Sequence, residues 1–369
     1  MLLDEITSAQ RLVRTDAYQM SLGEIVGMYE KEEIIIEPDF QRLFRWNDSQ
    51  KSKLIESLLL GIPLPPIFVF EKEDGRWELI DGLQRISTVL EFMGALRRPP
   101  NGTQPPSILE ATKYLPSLHN AVWERSELIT DTPLEDQRPL EKALKLSIRR
   151  ARIGVEILKR PSDDQTKYDL FQRLNAGGTQ ANAQELRNCI MIMVNKGFFK
   201  EIQTAADNST FQQIIAVNEE QIERQRHMEY AVRFLVLTSK EYDGTLDVEE
   251  YIDDGIVALA KENHGPLMTS LLVETFELLN AAAGRDALKR FENGHFLGKV
   301  GLVALEGIAV GIAKNLREIK AMASPVEFAR RKIEGFWSQP QTASFTSPGL
   351  RGTTRIQRTV PFGEVWFRP

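Results

Sequence analysis

Between positions 81 and 88 the chain sets out a carboxylate, a bare backbone position, an amide, a guanidinium and two hydroxyls: Asp81, Gly82, Gln84, Arg85, Ser87 and Thr88. They sit in LIDGLQRISTVLEF (79–92), where an apolar strand pattern hands over to helical spacing. The chemistry such a corner can do is anion binding. The N–H groups of a helix's first turn have no intrahelical acceptor and favour negative charge. A glycine at the corner lets another group approach the backbone. Arg85 near that terminus opposes the helix dipole unless an anion sits there. A plainer reading is a helix start, with Asp81 as N-cap and Gln84 reaching back in a variant of the capping box. That accounts for Asp81 and Gln84 and leaves Gly82, Arg85, Ser87 and Thr88 unexplained.

Two further clusters have the same double reading. PDFQRLFRW places Gln41, Arg42, Arg45 and Trp46 between a strand and a helix. Arginines suit phosphate because the guanidinium is a planar fork of donors, although each alone reads equally as solvated surface with Trp46 in the core. FQRLNAGGTQANAQEL carries Asn175 and Gly177-Gly178, a loop able to take left-handed backbone angles beside a ligand. Its ordinary alternative is a helix C-cap.

These clusters need elements to position them. Ser21 caps a helix over SLGEIVGMYEKEE, IIIEPDF starts as a strand stopped by Pro38, and Asn47 or Asp48 opens a helix ended by Gly61. PIFVFE and RWELID form a hairpin through KEDG, and ARIGVEILKR is another strand. RRPPNGTQPPS (97–107) is a Pro-rich loop, followed by helical segments up to position 151. Ser162 and Asn182 are candidate caps of the helices flanking the Asn-Gly-Gly loop. From about 208 to 337 the pattern is helical, and the tail SFTSPGLRGTTRIQRTVPFGEVWF reads as a loop or short strand pair. The expected fold is therefore α+β: a small mixed sheet with flanking helices over 1–205, then a mainly helical domain over 206–369.

Composition narrows the partners. At 369 residues two domains are the default. A net charge of -6 argues against a wholly basic, DNA-coating surface but not against a local basic groove. The tail arginines Arg351, Arg355, Arg358 and Arg368 make such a local patch, compatible with nucleic acid or the phosphate site, and read at least as well as a structural tail. The single cysteine, Cys189 in NCIMIMV, excludes a disulfide framework and reads as a small core residue. No apolar run reaches the roughly 20 residues of a membrane helix, and MLLDEITSAQRLVR lacks an export-signal core, so the expected location is cytoplasmic.

Taken together, QRLFRW, GIPLPPIFVF, LIDGLQRISTVLEF and FQRLNAGGTQ resemble, in the same order, the ParB/sulfiredoxin-like domain at the N-terminus of GmrSD-type, modification-dependent restriction enzymes. The resemblance spans roughly residues 15–240. It implies a nucleotide site at the DGQQR-type loop and NTP hydrolysis in a system that restricts phage or modified DNA. On that basis Asp81, Gln84 and Arg85 are the catalytic candidates, and Asp81 would position Mg2+ or an attacking water. Gln41, Arg42, Arg45, Gly82, Ser87, Thr88, Asn175 and Gly178 are the nucleotide-binding candidates. Leu83 stands where the family pattern has its first glutamine, which supports binding more than turnover.

Relatives often carry an HNH nuclease, whose chemistry needs paired histidines around a metal. His119, His227, His264 and His295 are isolated in sequence, and the acidic run DVEEYIDD reads as a solvated helix face. The reading is an NTP-binding, NTP-hydrolysing component of an antiviral restriction system, with DNA and a separate nuclease subunit as further partners. A non-catalytic nucleotide- or DNA-binding module that recruits a nuclease is the alternative, and a DNA nickase ranks below both.

Overall fold

The β-branched runs near positions 34, 67, 77 and 152 do what their patterns predict and pair into one sheet. The structure, a computed structural model, describes residues 14–36, 46–97, 104–159, 183–218, 221–222, 225–347 and 349–369. Contacts divide the chain into two units, Met1–Gln180 and Ala181–Pro369. The expected division at 205/206 differs from this by helices Ala183–Val194 and Lys196–Ala206, which fall in the second unit.

In the first unit the described elements run β1 (Arg14–Ser21), α1 (Leu22–Glu30), β2 (Ile34–Ile35), α2 (Asp48–Leu59), β3 (Ile67–Glu71), β4 (Trp77–Asp81) and α3 (Leu83–Phe92). They continue with β5 (Ala121–Val122), β6 (Arg138–Pro139), α4 (Lys142–Arg150) and β7 (Arg152–Lys159). The main sheet has the order β1-β7-β3-β4-β2 and is mixed: β7/β3 and β2/β4 are parallel, β1/β7 and β3/β4 antiparallel. Its core joins Ile67, Val69, Leu79, Val155 and Ile157 of the strands to Ile86, Val89, Leu90 and Phe92 of α3. The local signals hold. Ser21 accepts from the Glu24 N–H at 3.2 Å, and Asn47 with Gln50 forms a full capping box. Gly75, at φ 79°, turns the β3–β4 hairpin.

Three expectations are corrected. β1 was not foreseen: RTDAYQMS is polar and becomes a strand through its eight-residue register with β7. The stretch before position 141 is not helical beyond a short 3-10 turn at Pro116–Leu118. It is pinned to α2 by side chains: Glu110 N–H donates to Ser52 (2.8 Å), while Thr112, Tyr114 and Leu115 all donate to the Glu56 carboxylate. The tail, read as loop or strand, is helix Gly352–Trp366. It packs where backbones nearly touch, since a Cβ on Gly363 would lie 2.0 Å from the Gly307 oxygen and one on Gly311 2.6 Å from the Gly363 carbonyl.

The second unit is otherwise helical, as expected, with Arg226–Ser239, Val248–Glu262, Gly265–Ala283 and Pro325–Phe336 matching the periodic segments. It also holds a small hairpin, Arg290–Glu292 with His295–Leu297, inside the stretch read as helical. Among the described residues no helix is long and apolar enough to cross a membrane.

The Glu56 clamp makes a pH-dependent stability. The Thr112 hydroxyl, helped by the Tyr114 and Leu115 N–H groups and opposed by burial, holds this carboxyl below its ordinary range. A carboxyl depressed on folding contributes stability above its unfolded pKa of about 4.3, lost as pH falls toward the folded value. Glu56→Gln is expected to lower Tm at pH 7, with the gap to wild type closing in thermal melts below pH of about 4.

Candidate functional site

β4 and α3 meet at Gly82, which takes φ 96° and ψ 12°, a left-handed conformation that favours glycine. Space makes the same demand: a Cβ there would lie 2.4 Å from Cγ2 of Ile67 on β3. The group that approaches the bare backbone is thus a core side chain. The β3–β4 register shifts between Phe68 and Val69, opposite Asp81, so the strand end is re-aimed where the motif begins.

Neither capping expectation is met at this corner. Gly82, not Asp81, is the N-cap, and no side chain caps α3. The N–H groups of Leu83, Gln84 and Arg85 therefore lack intrahelical acceptors. Gln84 does not reach back; its Oε1 accepts from the Trp46 N–H at 3.3 Å. That bond brings the end of the QRLFRW motif onto the DGLQR motif.

Arg85 is held from two sides. Its Nη2 lies 3.0 Å from Asp81 Oδ2, and its Nη1 donates to the carbonyls of Pro65 and, at 3.0 Å, Pro66. Its side chain is 14% exposed and that of Asp81 26%. Burial pulls the guanidinium pKa below its ordinary value, and the Asp81 charge offsets part of that. The cation that seemed to need an external anion thus has an internal one, four residues back along the chain. Ser87 and Thr88 are fully buried. Thr88 Oγ1 donates to the Gln84 carbonyl at 2.7 Å, and the Ser87 hydroxyl is enclosed without a partner. Leu83 packs against the apolar core. The remaining candidates, Gln41, Arg42, Arg45, Asn175 and Gly178, with the caps Ser162 and Asn182 and Pro38, lie outside the described residues. So does the side chain of Cys189.

Arg355 of the basic tail and two carboxylates of the acidic run have structural partners. Glu306 is fully buried in a π-helical turn, Leu305–Ala309, and takes Arg355 through both oxygens at 2.9 Å. Arg233 reaches Glu306 at 3.7 Å and Glu249 at 3.3 Å. Buried Arg187 pairs with Glu249 and, at 2.6 Å, with Asp253. Glu249 and Asp253 belong to DVEEYIDD, so that run is not merely a solvated face, and Arg355 is not available to nucleic acid. Sequence reasoning missed Arg187 and Arg233, for which the local pattern holds no signal. Among the described residues no group of three or more His, Cys, Asp or Glu is arranged to hold a metal.

Residues 22–192 match the family model of the GmrSD restriction endonuclease N-terminal domain. The match bears out the resemblance carried by the four motifs, all of which lie inside it. No curated protein and no solved structure matches the chain.

The geometry predicts stability losses at two motif positions. Arg85→Ala strands a half-buried carboxylate and two carbonyls and should cost about 1–3 kcal/mol in denaturant unfolding. Leu83→Gln places an amide against the core and should lower Tm without raising any NTP turnover. An unchanged midpoint for both variants would mean that neither side chain is packed as described.

Proposed function

We propose that the first unit is a nucleotide-binding, NTP-hydrolysing component of a bacterial restriction system, holding phosphate at the Gly82 corner. The carrying observation is the uncapped start of α3, with Gln84 of one motif fastened to Trp46 of another. Convergent backbone donors at a helix start are the elements of a phosphate cradle. The match to a restriction endonuclease N-terminal domain supports the biological setting.

In this reading the amides of residues 83–85 grip phosphate, and Arg85 supplies positive charge beside them. The resemblance adds Gln41, Arg42, Arg45, Asn175 and Gly178 as further nucleotide-binding candidates. Asp81 would hold Mg2+, which commonly takes one or two carboxylates and completes its shell with water and phosphate oxygens. The metal would supply neutralisation of phosphate charge. The partly exposed Asp81 carboxylate fits that requirement.

One observation favours the alternative of a binding module that recruits a nuclease. Arg85 is already committed to Asp81, Pro65 and Pro66, and hydrolysis needs groups aimed at charge that develops in the transition state. Calorimetry with the four NTPs, and phosphate release with and without Mg2+ and DNA, separate the readings. The enzyme reading expects Mg2+-dependent release that Asp81→Asn lowers at least about tenfold with the fold intact. NTP binding without release supports the module, and no binding of any NTP overturns the enzyme reading and leaves the module only as a DNA binder.

A further inference from the structure

A second surface of the first unit lies between the C-terminal ends of α2 and α4. It is a groove of ≈ 790 Å3 whose lining includes Leu58, Ile62, Leu64 and Leu146, with Arg150 and Arg152 beside them. Ile62 is 48% exposed and Leu146 38%. Their neighbours Leu60 and Leu144 are exposed too. α4 itself buries only Ile148 of its nine residues, so its helix presents most of its surface outward. Leu58 and Leu64 belong to the core beneath the groove, while Ile62 and Leu146 stand in water beside the two arginines. Exposed apolar side chains rimmed by charge mark an interaction surface. Arg150 and Arg152 are exposed, and neither guanidinium meets a carboxylate among the described residues.

We infer that this groove docks a partner polypeptide segment that is apolar on one face and acidic on its flank. Leucine and isoleucine gain from burying apolar surface, which a DNA backbone does not offer. The two arginines are unpaired forks suited to carboxylates. Apolar anchors at three- and four-residue spacing with glutamates beside them satisfy both, in the helix-in-groove mode. The inference goes beyond nucleotide binding and does not rest on it. The groove wall Gly61–Leu64 runs directly into Pro65 and Pro66, whose carbonyls hold Arg85. A docked segment therefore presses on the same loop that positions the motif arginine.

The test uses the full chain without nucleotide and a labelled synthetic helix bearing leucines at that spacing and glutamates elsewhere, followed by fluorescence anisotropy. Binding is expected, and it should weaken about tenfold when the peptide glutamates become glutamines and when salt rises from about 0.05 to 0.5 M. Arg150→Glu with Arg152→Glu should weaken it at least as much. Lys142→Glu, a single charge reversal at the other end of α4, should cost much less. Leu146→Asp should abolish binding, with melting curves showing each variant folded. No binding at about 1 mM peptide, equal binding of the glutamine version, or equal loss with Lys142→Glu overturns the proposal. So does a DNA duplex that binds in the peptide's place and is lost in the same arginine variant. Self-association that Leu146→Asp abolishes, with no peptide binding, would make the groove an interface between copies and likewise overturn it.

Discussion

At the junction of β4 and α3 there is room for a hydrogen atom and nothing larger. Gly82 has a positive φ, and Ile67 occupies the space a side chain would need. An L-residue would meet both a backbone penalty and a collision, and relieving the collision means moving β3, the strand between β7 and β4. Everything proposed for this corner depends on that contact. It fixes where the strand ends, how α3 departs, and therefore where the first-turn amides stand.

The surrounding side chains reinforce the corner. Arg85 ties α3 to the loop before β3, Gln84 ties it to Trp46, and Lys51 on α2 meets Glu91 on α3 at 3.0 Å. These are short-range fastenings around one strand-to-helix turn. A site that must hold phosphate gains from such stiffness, because donors already in place need no ordering when the ligand arrives. The same fastenings take up Arg85, which is why grip on phosphate is better supported than its hydrolysis.

Elements whose causes are local were legible in the sequence. Ser21, Asn47 with Gln50, the Asp-Gly hairpin and the periodic helix Val248–Glu262 each depend on residues a few positions apart. What was hidden depends on distant partners. β1 exists because β7 offers an edge more than 130 positions on, as in Asp16 opposite Ile157. Helix Gly352–Trp366 has Gly, Thr and an internal Pro361, poor helix formers, and is held by the close approach of Gly363 to Gly307 and Gly311. At the candidate site the motif itself was visible, and the acid-to-base spacing from Asp81 to Arg85 was the overlooked hint that the arginine had an internal partner. Nothing local could announce that Arg355 belongs to Glu306 or Arg187 to Glu249 and Asp253. Those pairs close over dozens of positions and bury Arg187 and Glu306 inside the helical unit.

The central claim is that the backbone amides at the start of α3 receive phosphate. Amide 1H–15N shifts followed during an NTP titration report those groups directly and without mutation. The account predicts that Leu83, Gln84 and Arg85 shift together and saturate on one binding curve, with Asp81 and Trp46 moving alongside them. Saturable NTP binding that leaves those three amides unmoved would contradict it.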